Sequence, residues 1–164
     1  MTKELIILVG NIGSGKSTFT KKVQENRQYV VISRDSLRYG IGGGNYVFNL
    51  EYESIIWDTE LFLFRSFVRQ EVPIIIDEVG VTKEMRKRYI NFAKLHGYFI
   101  QAVILPRISM EECVDRRMND PHGQYDRKLW EKLWSKFNSM YEEPTLAEGF
   151  DRIVDLSKYG GNNG

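Results

Sequence analysis

Cysteine is nearly absent: Cys113 is the only one among 164 residues. No intramolecular disulfide can form, and zinc sites built from several thiolates are excluded. That usage fits a reducing compartment. Long apolar runs are missing too. The N-terminal run Leu5–Val9 is shorter than the ~7–15 residues of a signal-peptide core. No stretch approaches the ~18 apolar residues of a membrane span. The expectation is a cytoplasmic chain (host cytoplasm if phage-encoded) with no membrane partner. Neither sign of charge is in excess, since 23 basic and 22 acidic residues leave a formal net charge of +1. Any contact with nucleic acid must then come from a local basic patch. Apolar residues at 42% and charged residues at 27% exclude a disordered or collagen-like chain. This length predicts one domain. We expect it over residues 1–159, with 160–164 (GGNNG) as a flexible tail.

Strand and helix patterns alternate along the chain. Leu5–Val9 is a continuous apolar run, and Leu5–Val9, Tyr29–Ser33, Val72–Asp77 and Tyr98–Leu105 read as buried parallel strands. Arg152–Leu156 reads as a last strand. Helices are expected over Lys16–Glu25, Arg34–Tyr39, Leu50–Gln70, Thr82–His96, Ser109–Met118 and Asp126–Tyr141. Ser33 suits an N-cap, Gly97 a left-handed C-cap, and Ser109 with Glu112 a capping box. This alternation implies a mostly parallel α/β sheet with helices on both faces. Ligands in such sheets bind at the carboxyl ends of the strands.

At the end of the first strand the chain reads Gly10-Asn11-Ile12-Gly13-Ser14-Gly15-Lys16-Ser17-Thr18. Residues 10–17 match GxxxxGK[ST], in the strand-then-helix context that a phosphate-binding loop requires. Glycines let backbone N–H groups turn toward phosphate oxygens, and the helix N-terminus adds partial positive charge. Lys16 can reach β- and γ-phosphates, and the Ser17 hydroxyl can ligate Mg²⁺. A nucleotide of the ATP type is implied.

The second strand ends in Ser33-Arg34-Asp35-Ser36-Leu37-Arg38. Asp35 and Arg38 fall one helical turn apart on the same side. A carboxylate there can accept the proton of an attacking hydroxyl, and an arginine fork can grip an acceptor phosphate. The same spacing also describes an ordinary surface ion pair.

The series IGSGKST, ISRDSLR, IIIDE and a basic helix ending in FAKLHGY resembles the kinase domain of phage-type 5′-polynucleotide kinases. The similarity runs from Lys3 to about Tyr141. The resemblance implies a single P-loop kinase domain with a five-stranded parallel sheet in the order 2-3-1-4-5. It makes Asp35 the general base toward a 5′-hydroxyl, and gives Arg38 the phosphate beside the acceptor nucleoside. Asp77 resembles the family's strand-end aspartate, near Mg²⁺ or bonded to Ser17, with Glu78 a weaker candidate. The other reading of Asp77 is a charge at a helix N-terminus.

Arg116 matches the first arginine of the family's lid. The second lid position carries Asp120, a departure that leaves Arg117 and Arg127 as substitutes. Arg86 aligns with an arginine of the family's helix. In the run Lys83, Arg86, Lys87 and Arg88 it also reads as part of a solvated face. Leu129, Trp130, Leu133, Trp134, Phe137, Met140 and Tyr141 recur at helical spacing and read as core. Gly42–Gly44 with Tyr39, Tyr46 and Phe48 reads either as a simple loop or as a place to stack a splayed base. His96, His122 and Cys113 read as structural.

The function this implies is ATP-dependent phosphoryl transfer to the 5′-hydroxyl of DNA or RNA. No DxDxT motif is present, so the 3′-phosphatase of some relatives is not expected. Two other functions fit the residues. One is a kinase for a mononucleotide or small metabolite. The other is a nucleotide-binding switch without an acceptor.

Overall fold

The computed structural model describes residues 2–158; the tail expected at 160–164 lies outside them. In chain order the elements are β1 (Glu4–Val9), α1 (Lys16–Gln24), β2 (Val30–Ile32), α2 (Arg34–Ile41), α3 (Leu50–Arg69), β3 (Ile74–Ile76), α4 (Lys83–Leu95), β4 (Phe99–Ile104), α5 (Met110–Met118), α6 (Arg127–Met140) and β5 (Arg152–Asp155). The strands form one parallel sheet in the order β2-β3-β1-β4-β5. The architecture and strand order agree with the expectation. Apart from β1, which gains Glu4, the strands are shorter than the runs that predict them. Val72 and Pro73 lead into β3, and Pro73 has no N–H for the ladder, though its carbonyl accepts from Val30 at 2.9 Å.

Side chains alternate across a strand, and β1 is buried on both faces. Leu5, Ile7 and Val9 pack with Phe64 and Val68 of α3 and with Tyr89, Ile90 and Ala93 of α4. Ile6 and Leu8 face the other way, toward Phe19 and Val23 of α1. A third cluster joins Ile12 of the phosphate loop to Val114 of α5 and Trp130 of α6. This last cluster seats α5 and α6 beside the carboxyl ends of the strands.

The helix ends follow the sequence with two exceptions: α2 runs through Gly40 to Ile41, and one cap is incomplete. Ser33, Thr82 and Ser109 each accept from a backbone N–H of the following turn, and Gly97 takes φ 74°. The capping box at Ser109 is only half formed. The Glu112 carboxylate turns to Arg116 at 2.8 Å, where a full charge one turn away replaces a backbone N–H.

Candidate active site

A cavity of about 900 Å³ opens at the carboxyl ends of the strands. The phosphate loop and α1 form one side, α2 and the start of α3 another, and α6 closes the third. Its lining includes Ile12 to Thr18, Asp35, Arg38, Asp77, Arg116 and Arg117. The residues singled out from the sequence therefore meet in one place. Arg127 is not among them: it pairs with Asp115, and with Glu131 at 3.8 Å.

The loop conformation needs its glycines. Gly13 has φ 66°, and a Cβ there would lie 2.3 Å from the Cys113 carbonyl oxygen. Gly15 has φ 101° and starts α1 with no side-chain cap. The free N–H groups of the first turn are left for a ligand. Asn11 closes the loop on itself through Ile12 N–H at 2.7 Å and holds it to α6 through the Trp134 carbonyl at 2.9 Å. The Ser14 hydroxyl is buried with no hydrogen-bond partner among the described residues.

Lys16 Nζ donates to the carbonyls of Gly10 at 3.0 Å and Asn11 at 2.7 Å. Burial lowers its pKa, with Asp77 and Asp35 opposing the shift. Burial also raises the pKa of Asp77, and the Lys16 charge offsets part of that. The Ser17 hydroxyl donates to Asp77 Oδ2 at 3.4 Å. Asp77 follows β3 with no helix directly behind it, so the helix-terminus reading does not apply. Glu78 is already engaged, accepting from Arg34 N at 2.6 Å and Arg34 Nη2 at 2.8 Å. Among the described residues no three His, Cys, Asp or Glu side chains cluster as a metal cage. Ser17 and Asp77 together suit a cation held mainly by phosphates, as Mg²⁺ usually is.

On the opposite rim Asp35 accepts from Arg38 Nη1 at 2.7 Å and from Arg117 Nη2 at 3.4 Å. Glu53 of α3, which the sequence does not mark, holds the other edge of Arg38. Its carboxylate accepts from Nε at 3.0 Å and Nη2 at 2.7 Å. Arg116 reaches the other way, donating to the Gly13 carbonyl at 3.0 Å. Arg117 lies over Trp130, its Cζ 4.2 Å from the ring centroid. The two neighbouring arginines thus face the phosphate loop and Asp35 respectively. Asp120 sits elsewhere and accepts from the Tyr39 hydroxyl.

The aromatic residues divide by role. Trp130 is core, as expected, but with Leu129, Leu133 and Phe137 it also lines the cavity. Tyr46 packs between Tyr39 and Trp130, at 5.3 and 6.0 Å. Burial and the nearby Asp35 charge push its phenol up to about 12. Phe48 lines the cavity and is about half exposed. Arg86 overturns the solvated-face reading. It is fully buried and donates to Glu148 at 2.8 and 3.0 Å, to the Gly80 carbonyl at 2.9 Å and to the Glu142 carbonyl at 3.1 Å.

A family model described as an AAA domain matches residues 5–144. The bifunctional polynucleotide phosphatase/kinase of Schizosaccharomyces pombe is 23% identical over 158 residues, covering 94% of this chain and 33% of that protein. The chain thus spans about one third of that curated relative. The structure of the Pnkp1/Rnl/Hen1 RNA repair complex superposes with a TM-score of 0.65 at 22% identity, covering 90% of this chain and 46% of the matched one. The Mycobacterium tuberculosis APS kinase CysC, in complex with AMPPNP and APS, gives a TM-score of 0.56 at 15% identity, covering 95% and 92%. No helix among the described residues is long and apolar enough to cross a membrane.

Proposed function

This chain belongs to the AAA-domain family and has a kinase-like P-loop phosphotransferase fold; we propose that it transfers the γ-phosphoryl group of ATP to the 5′-hydroxyl of a nucleic acid. One observation carries the reading. The Asp35–Arg38 pair, at 2.7 Å, stands across a single cavity from a complete phosphate loop. A phosphate donor and a phosphate-bearing acceptor can therefore meet within it. The similarity to a polynucleotide phosphatase/kinase supports the choice of acceptor.

When bound, Mg²⁺ and ATP supply charge neutralisation and the phosphoryl group. The chain's own residues do the rest by position and charge. The N–H groups of Gly13 and of residues 15–18, with the Lys16 ammonium, hold the donor phosphates, while the Ser14 N–H closes the loop on the Asn11 carbonyl at 3.2 Å. Ser17 and Asp77 hold the cation. A carboxylate has about four lone-pair sites, and Arg38 and Arg117 take two of those on Asp35. The remaining sites accept the proton of the 5′-hydroxyl. Arg38 keeps free N–H groups for the phosphate on the 3′ side of that nucleoside. Arg116 and Arg117 offset charge that builds up between donor and acceptor.

The test is transfer of labelled γ-phosphate to four acceptors: 5′-OH DNA, 5′-OH RNA, nucleoside 3′-phosphates and plain nucleosides. The plain nucleosides should be poorer by about 10–150-fold, the worth of a charge-assisted contact of ~1.5–3 kcal/mol. Equal use of plain nucleosides would sink the reading. One observation favours a second reading, a kinase of a mononucleotide or small metabolite. Glu53 already occupies two nitrogens of Arg38, which lessens its capacity for an acceptor phosphate. On that reading Arg38→Ala slows transfer to phosphorylated and unphosphorylated acceptors alike.

A further inference from the structure

A near-neutral chain needs a local basic patch to hold a polyanion, and the seam between α3 and α4 carries one. Arg34 and Trp57 line the cavity, with the Arg34 Cζ 3.6 Å from the Trp57 ring centroid. Arg88 of α4 stacks on the same indole at 4.8 Å. One turn further along α4, Phe92 receives Arg65 at 5.4 Å and Arg69 at 5.5 Å, both from α3. Arginine and aromatic groups therefore run in series from the cavity along the seam.

The charge on the C-terminal half of α3 is one-sided. From Leu61 to Gln70, α3 has no acid. Of its four earlier acids, Glu53 is turned onto Arg38 and Glu60 is fully buried 4.0 Å from Arg88, while Glu51 and Asp58 are exposed. Arg65 and Arg69 are exposed, and among the described residues no carboxylate pairs with either. Stacking on Phe92 limits their rotamers, which lowers the entropy cost of holding a phosphate. Twelve residues of α3 separate Trp57 from Arg69, or about 18 Å at 1.5 Å per residue. A duplex strand places about five phosphates in that length at ~3.4 Å each, and an extended single strand fewer.

We propose that the α3–α4 seam, through Arg88, Arg65 and Arg69 stacked on Trp57 and Phe92, binds the single-stranded nucleic acid that continues beyond the acceptor nucleotide. The proposal rests on the polynucleotide reading for what enters the cavity. The contacts are to the phosphate backbone, so they are tolerant of sequence and sensitive to salt.

The test uses the whole chain and a 3′-fluorescein-labelled single-stranded DNA 12-mer with a 5′-hydroxyl. Binding is followed by anisotropy between 50 and 200 mM salt, in protein with Arg65→Gln and Arg69→Gln together. The slope of log K against log salt should fall by about 1.4, from ~0.7 for each of two phosphates. The KM ratio of 12-mer to nucleoside 3′-phosphate should rise about tenfold, because the short acceptor does not reach the seam. The paired Arg65→Lys and Arg69→Lys variant should keep the wild-type slope. An unchanged slope in the Gln variant, with the wild type binding and phosphorylating the 12-mer, overturns the seam and leaves the polynucleotide reading standing. A reduced slope in a chain that phosphorylates no nucleic acid supports the seam and removes the other reading. No binding of the 12-mer by the wild type overturns the seam outright.

Discussion

Asp35 is held between two guanidiniums, and that placement sets what its loss should do. Asp35→Asn keeps the shape and most hydrogen bonds but cannot take a proton at neutral pH. On the proposed function the expected result is a fall in kcat of roughly 10²–10⁴, with ATP affinity unchanged, since the side chain stands on the rim opposite the phosphate loop. Steady-state kinetics and ATP titration check both halves, and a parallel loss of ATP binding would move Asp35 to the metal side. Lys16, Ser17, Asp35 and Arg38 were legible because each lies in a short run whose spacing alone sets the geometry. Glu53 was not. It lies fifteen positions from Arg38, beyond a glycine-rich loop, on a helix start where acids are common for dipole reasons. Nothing local separates it from Glu51, which is exposed. Arg117 was legible only as one of two substitutes, and the packing of α6 puts it, and not Arg127, on the cavity.

At the scale of elements, α4 shows how a period outranks a charge. Arg86, Tyr89, Ile90 and Ala93 are its buried positions, spaced i, i+3, i+4, i+7. Arg86 thus falls on the core stripe of an amphipathic helix, although the run of cations around it reads as a solvated face. Once buried, its guanidinium needs partners, and Glu148 with the Gly80 and Glu142 carbonyls supplies them. The contact with Gly80 also steadies the segment that follows Asp77. Arg86→Ala leaves Glu148 without its partner ion, and such losses cost about 3–5 kcal/mol. Denaturant unfolding should show that loss, and Arg86→Lys should recover little, because an ammonium cannot reproduce the planar fork. A cost under about 1 kcal/mol would place the pair with exposed salt bridges.

Across the whole molecule, the sheet was legible because buried parallel strands are continuous apolar runs. Strand order was not written in those runs and came with the family resemblance. Charge is where the whole differs most from its sum: a net charge of +1 conceals an acid enclosed behind the α3–α4 seam. Glu60 is fully buried. One of its oxygens accepts from the Tyr89 hydroxyl at 2.5 Å, the other has no hydrogen-bond partner among the described residues, and Arg88 stands 4.0 Å away. Burial raises its pKa above 4.5, against the pull of Tyr89 and the arginines. An acid whose pKa is higher in the folded state binds its proton more tightly there than in the unfolded chain. Its stabilising share is complete below about 4.5 and is lost as pH rises through the folded value. A tenfold difference in proton affinity between the two states is worth about 1.4 kcal/mol. Glu60→Gln cannot ionise and should not show that loss. Thermal unfolding from pH 4 to pH 8 should then show the variant gaining on the wild type as pH rises. A difference moving the other way would mean that Arg88 and Arg34 hold Glu60 ionised, with its folded pKa below the unfolded one.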